Sequence, residues 1–136
     1  MKTFDEIKIN DSGSLNKKIT SELVERFAEF SGDHNPIHLD EDFAKKSRFG
    51  ARIAHGALLN AFFSTTFATQ HPGSGSIYVS QDIRYMKPVY LGDQLQFTVT
   101  VTDKNEAKKM LTYACEVKNQ NDILVAKGQA LLYLPE

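Results

Sequence analysis

The stretch "IAHGALLNAFFSTTFAT", residues 53 to 69, restricts the possible folds more than any other. Apolar residues cover nearly every side of its helical wheel, so the predicted helix must be buried on most faces. "HPGSG", residues 71 to 75, ends it with strong turn residues. The period then changes to two. Ile77, Val79, Ile83 and Tyr85 alternate with Tyr78, Ser80, Asp82 and Arg84. Leu95, Phe97, Val99 and Val101 alternate with Gln96, Thr98 and Thr100, and Leu111, Tyr113, Cys115 and Val117 with Thr112, Ala114 and Glu116. A last run, apolar on both faces, spans Ile123 to Leu134. Short polar turns separate these runs, which predicts sequential strands in an antiparallel meander.

Two shorter helices precede the apolar one. Residues 21 to 30, "SELVERFAEF", put Leu23, Val24, Phe27 and Phe30 on one face, with Thr20 or Ser21 as the cap. A second begins at Asp40, with acids in its first turn and Lys45, Lys46 and Arg48 at its end, as the helix dipole favours. The economical packing is a curved sheet wrapped around the apolar helix. This is the hot-dog arrangement, an α+β fold. One sheet cannot cover every face of that helix, so a second subunit, as a homodimer, is expected.

The length of 136 residues fits one domain over 1–136. A net charge of -1, with 16 basic and 17 acidic residues spread along the chain, offers no stripe for nucleic acid. Cys115 is the one cysteine, which excludes an internal disulfide; its place among apolar strand residues makes it core. No segment has a signal-peptide core or the length to span a bilayer, so a cytoplasmic protein without membrane partners is expected.

Chemistry concentrates in "SGDHNPIHLD", residues 31 to 40. Asp33 and His38 sit five apart on a loop stiffened by Pro36. Imidazole titrates near neutrality, and a carboxylate beside it can hold its tautomer or share its proton work. The same residues also suit a structural loop built on Asx-turns. His34 and His38 are four apart, but Pro36 between them breaks the helix a shared metal would need, so no metal is expected. Gly56 falls where the apolar helix begins. Helix-start N–H groups lack internal partners, and glycine lets a ligand oxygen approach them, as in an oxyanion hole. Gly56 can equally ease a tight turn. Ser64 lies two turns on; its hydroxyl either bonds its own backbone or reaches Asp33. His55 reads as a helix-terminus residue.

Ser31, Asp33, Asn35, Pro36, Ile37, His38 and Asp40, with "HG" about fifteen residues later, resemble the MaoC-like dehydratase family, most closely its short (R)-specific enoyl-CoA hydratases. The resemblance continues through "LLNAFFS", "GSGSIYVSQ" and "YMKPVYLGD". It implies reversible hydration of a trans-2-enoyl thioester, of CoA or of acyl-carrier protein, to the (R)-3-hydroxyacyl thioester, with no metal or redox cofactor. It implies that Asp33 and His38 activate water and that Gly56 donates its N–H to the thioester oxygen. Ser64 would support the acid, and Asn35 would hold the loop. Thioester hydrolysis on the same fold, and non-catalytic binding of acyl thioesters, are the alternatives. The chain departs from the pattern at Arg52, where the family tends to have proline, and at Ala57, where it tends to have methionine.

Overall fold

A computed structural model describes residues 2–135. After a 3-10 turn at Phe4–Glu6, the elements are β1 (Ser12–Lys18), α1 (Ser21–Ser31), α2 (Pro36–Leu39), α3 (Glu41–Lys46), α4 (Gly56–Thr69), β2 (Ile77–Tyr85), β3 (Gln94–Asn105), β4 (Met110–Lys118) and β5 (Leu124–Tyr133). The five strands form one antiparallel sheet in the order β1-β3-β4-β5-β2. Helix α4 packs on β1 and β3.

Local chemistry explains most of these boundaries. Thr20 caps α1 by accepting the Leu23 N–H at 3.1 Å. Gly32 closes it with φ 83°, a left-handed conformation that costs glycine no Cβ clash. Asn35 caps α2, Pro36 takes its first turn, and Asp40 caps α3 through the Phe43 N–H at 3.1 Å. The apolar helix begins at Gly56, where its glycine places the start; Ile53, before it, pairs with Tyr90 in an isolated bridge.

The core lies between α4 and the sheet. Phe63, Phe97 and Tyr113 are fully buried, each worth about 1.5–3 kcal/mol of burial. Leu95, Phe97, Val99 and Val101 of β3 and Leu111, Tyr113, Cys115 and Val117 of β4 all point inward, as their alternation predicts. Burial pushes the Cys115 thiol up to about 12, which suits core packing rather than nucleophilic chemistry.

Three expectations fail. Only β3, β4 and β5 form a meander; β2 crosses to the far edge beside β5, and the unanticipated β1 pairs with β3. A bulge at Val79 shifts the β2 register between Tyr78 and Ser80. The extra residue reverses the facing of the strand. Tyr78 therefore packs on Phe67, while Ile77 and Val79 are exposed. Phe30 also leaves the core, 78% exposed and edge-on to Phe27 at 5.2 Å.

Helix α4 leads into a buried imidazole. His71 is 4% exposed, with Nδ1 3.0 Å from the Tyr113 hydroxyl. Burial pulls its titration below the usual range; Lys2 pushes the same way and Asp11 opposes. In the unfolded chain a histidine titrates at about 6.5. As the pH falls through that value, the unfolded state takes up a proton that the folded state resists. The stability carried by neutral His71 is therefore complete above this pH and is lost below it. Glu6 and Asp11, held low by hydrogen bonds from Thr3 and from the Lys8 N–H, act in the same direction only in the more acidic carboxylate range. Thermal melts between about pH 5 and 7.5 are expected to show Tm falling with acid, and less steeply in His71→Gln. An equally steep fall in that variant would clear His71 as a cause.

Candidate active site

The α1–α2 loop and the start of α4 meet. The Asp33 N–H donates to Ser31 Oγ at 3.2 Å, and the Asn35 N–H donates to Asp33 Oδ1 at 3.2 Å. Asn35 Oδ1 in turn accepts the Ile37 N–H at 3.4 Å. These local bonds hold the exposed Asp33 carboxylate over His38. His38 is 8% exposed, and its Nδ1 lies 2.7 Å from the Ile53 carbonyl. A carbonyl only accepts, so Nδ1 carries the proton and Nε2 presents a lone pair.

His55 is the residue that sequence reasoning undervalued. It is 2% exposed, and its ring stacks on His38 with centroids 3.8 Å apart. Its Nε2 donates to the Asp33 backbone carbonyl at 3.0 Å. It therefore backs both members of the candidate pair. Burial pulls its titration below the usual range, and the bond to the Asp33 carbonyl opposes that shift. The only sequence signal was its place directly before a helix-start glycine.

Side-chain atoms of Asp33, His38 and His55 all lie within 4.8 Å of one another. Two hydrogen bonds of ~2.8 Å meeting at a water span ~4.6 Å, a length that falls inside that limit. The same three residues are also close enough together to offer ligand atoms to a metal ion, with one nitrogen of each imidazole already bonded to a backbone carbonyl, His38 Nδ1 to that of Ile53 and His55 Nε2 to that of Asp33. His34 is exposed, lies outside α2 and turns its Nδ1 toward the Gly32 carbonyl at 3.2 Å.

Gly56 is the first residue of α4, and among the described residues no side chain caps that terminus. Its helix-start N–H has no intrahelical partner, and it lies at the positive end of the helix dipole. The Tyr85 ring lies against it: a Cβ on Gly56 would meet ring carbons at 3.0 and 3.1 Å. Tyr85 is held there by donating to Asn60 Oδ1 at 3.1 Å. His38, His55 and Gly56 line one cavity of about 310 Å³. Phe49, Leu59, Met86 and Val89 make much of it apolar, and Arg48 and Lys87 add charge.

Ser64 is placed differently from expectation. The partners of Asp33 are Ser31, Asn35 and His55, and Ser64 is not among them. It stands eight residues along α4 from Gly56, which at 1.5 Å per residue is ~12 Å. It is exposed, on a stripe of small residues with Ala57, Ala61 and Ala68.

A MaoC-like domain model matches residues 7–122. The (R)-specific enoyl-CoA hydratase of Rhodospirillum rubrum is 40% identical over 134 residues, 97% of this chain and 91% of that protein. That of Aeromonas caviae is 36% identical over 95% of this chain and 96% of that protein. The solved A. caviae (R)-hydratase, described as involved in PHA biosynthesis, superposes with a TM-score of 0.92 over 95% of this chain and 98% of that one. R-hydratase PhaJ1 of Pseudomonas aeruginosa, also 36% identical, superposes at 0.94 over 98% and 86%. With a shared hot-dog fold and identity along nearly the whole chain, the protein belongs to the MaoC-like dehydratase family.

Proposed function

We propose that the protein hydrates trans-2-enoyl thioesters reversibly to (R)-3-hydroxyacyl thioesters. The observation that carries this is the meeting, at one apolar cavity, of a base-ready imidazole and an open helix N-terminus. Water between Asp33 and His38 attacks C3. His38 Nε2 takes one proton, while Asp33 accepts a hydrogen bond from the other. The electron pair of the double bond moves toward the thioester oxygen, where the Gly56 N–H and the α4 dipole stabilise it. The imidazolium returns its proton to C2, which completes the addition. A positioned acid–base group contributes roughly 10²–10⁴ in rate, and an oxyanion donor roughly 10²–10³. Addition of water is redox-neutral, so the reaction calls for no electron carrier. CoA or acyl-carrier protein serves as the handle of the substrate.

An assay with crotonyl-CoA tests this. Loss of the enoyl absorbance without free thiol is expected. Release of free thiol would replace the proposal with thioester hydrolysis, and an unchanged spectrum across acyl lengths would leave a binding protein.

The active form in this proposal is a homodimer. Ala57, Ala61, Ser64 and Ala68 leave one side of α4 uncovered, and edge strand β2 exposes Ile77 and Val79. A second copy would cover both and would bury Ser64. Ala61→Arg is expected to shift the sedimenting mass to that of one 15.3 kDa chain. A wild type that already sediments as an active monomer would defeat the idea.

A further inference from the structure

Arg52 occupies the position where the family pattern tends to proline, and the fold buries it. Only 9% of the residue is exposed. Its Nε donates to the His38 backbone carbonyl at 2.7 Å. Its Nη1 donates to Glu41 Oε1 at 3.2 Å and to Ser21 Oγ at 3.3 Å. The acceptors belong to α2, α3 and α1, so one planar guanidinium ties together the three helices around the candidate loop. Ile53, the next residue, grips the same turn. Its N–H donates to the Ile37 carbonyl at 3.3 Å, and its carbonyl accepts from His38 Nδ1 at 2.7 Å. Residues 52 and 53 therefore hold both the peptide and the ring of His38.

A purely stabilising role explains this poorly. Arg52 Nη2 is buried, and among the described residues nothing accepts from it. A buried charge with an unsatisfied nitrogen is a weak stabiliser, and an apolar side chain would fill the space without that penalty. What an apolar side chain cannot supply is a rigid donor to the His38 carbonyl.

We infer that Arg52 is a positioning residue: its guanidinium fixes the backbone of His38 and so aims Nε2 at the water. This rests on the hydratase reading of the site. A displacement of about 1 Å at a reacting group costs as much as a hundredfold in rate. The effect falls on kcat, because Arg52 does not line the cavity that would hold the substrate.

The test begins with wild-type hydration of crotonyl-CoA and then compares Arg52→Met and Arg52→Lys, each checked for folding by circular dichroism. Arg52→Met is expected to lower kcat about tenfold or more, with KM within about twofold of wild type. Arg52→Lys should fall between, because one ammonium nitrogen cannot occupy the Nε and Nη1 positions together. A folded Arg52→Met with wild-type kcat would overturn the inference. If that variant does not fold, a wild-type kcat in Arg52→Lys overturns it instead. Should the wild type itself hydrate nothing, the functional reading fails, and the brace is judged by NMR of the His38 ring N–H. Loss or broadening of that resonance in the folded variant supports the brace; an unmoved resonance refutes it.

Discussion

His38→Ala is expected to lower kcat by at least about a hundredfold while the protein remains folded. The ring sits in the candidate site in one defined tautomer, fixed by the Ile53 carbonyl at 2.7 Å. That bond leaves Nε2 as the proton acceptor. Alanine removes the acceptor and leaves the Ile53 carbonyl short of a partner, at a cost of about 1–3 kcal/mol if no water replaces it. The fold tolerates this, because α2 keeps its Asn35 cap and its Pro36 start. The His55 ring loses its stacking partner but keeps its bond to the Asp33 carbonyl. Oxyanion donation by Gly56 would remain, so the residual rate should still exceed that in water. Steady-state kinetics on crotonyl-CoA beside a thermal melt checks this. Near-wild-type turnover would take His38 out of the mechanism.

Asp33→Asn is expected to cost a similar factor, about a hundredfold or more in kcat, with little change in KM. The substitution is nearly isosteric. The amide oxygen can still accept the Asn35 N–H, as Asp33 Oδ1 does at 3.2 Å, so the loop should keep its shape. What changes is polarity toward the water. A carboxylate accepts a hydrogen from it and leaves an oxygen lone pair free to attack. An amide NH₂ instead donates to that lone pair and occupies it. Because the two residues act on one water, the double variant Asp33→Asn/His38→Ala should lose far less than the product of the single losses. Fully multiplicative losses would mean that the residues work independently. An Asp33→Asn enzyme of unchanged kcat would reduce Asp33 to a loop-holding residue, in the role of Asn35.

Much of the site was legible because its bonds are local. The links Ser31–Asp33, Asp33–Asn35 and Asn35–Ile37 each span two residues, and Pro36 marks the start of α2. Gly56 could be placed because a glycine before an apolar run marks a helix start. His55 and Arg52 were missed for the opposite reason. Their partners, Asp33 for one and His38, Glu41 and Ser21 for the other, lie 11 to 31 residues away. No periodicity records such pairings. Ser64 was offered either its own helix backbone or Asp33 as partner; within one chain it is exposed on α4 and is not among the residues that bond Asp33.

The same division holds for the fold. Caps, turns and the change of period from helix to strand are properties of neighbouring residues. The sequence by itself therefore determined α1, α3 and α4, the inward faces of β3 and β4, and the wrapping of a sheet around one apolar helix. Strand order is not a local property. Backbone N–H and C=O groups are alike in every strand, so β2 beside β5 and β1 beside β3 were decided only when the whole sheet assembled. The bulge at Val79 belongs with them: two residues of β2 are matched against the spacing of β5, and that mismatch turns Ile77 and Val79 outward where alternation alone had turned them in.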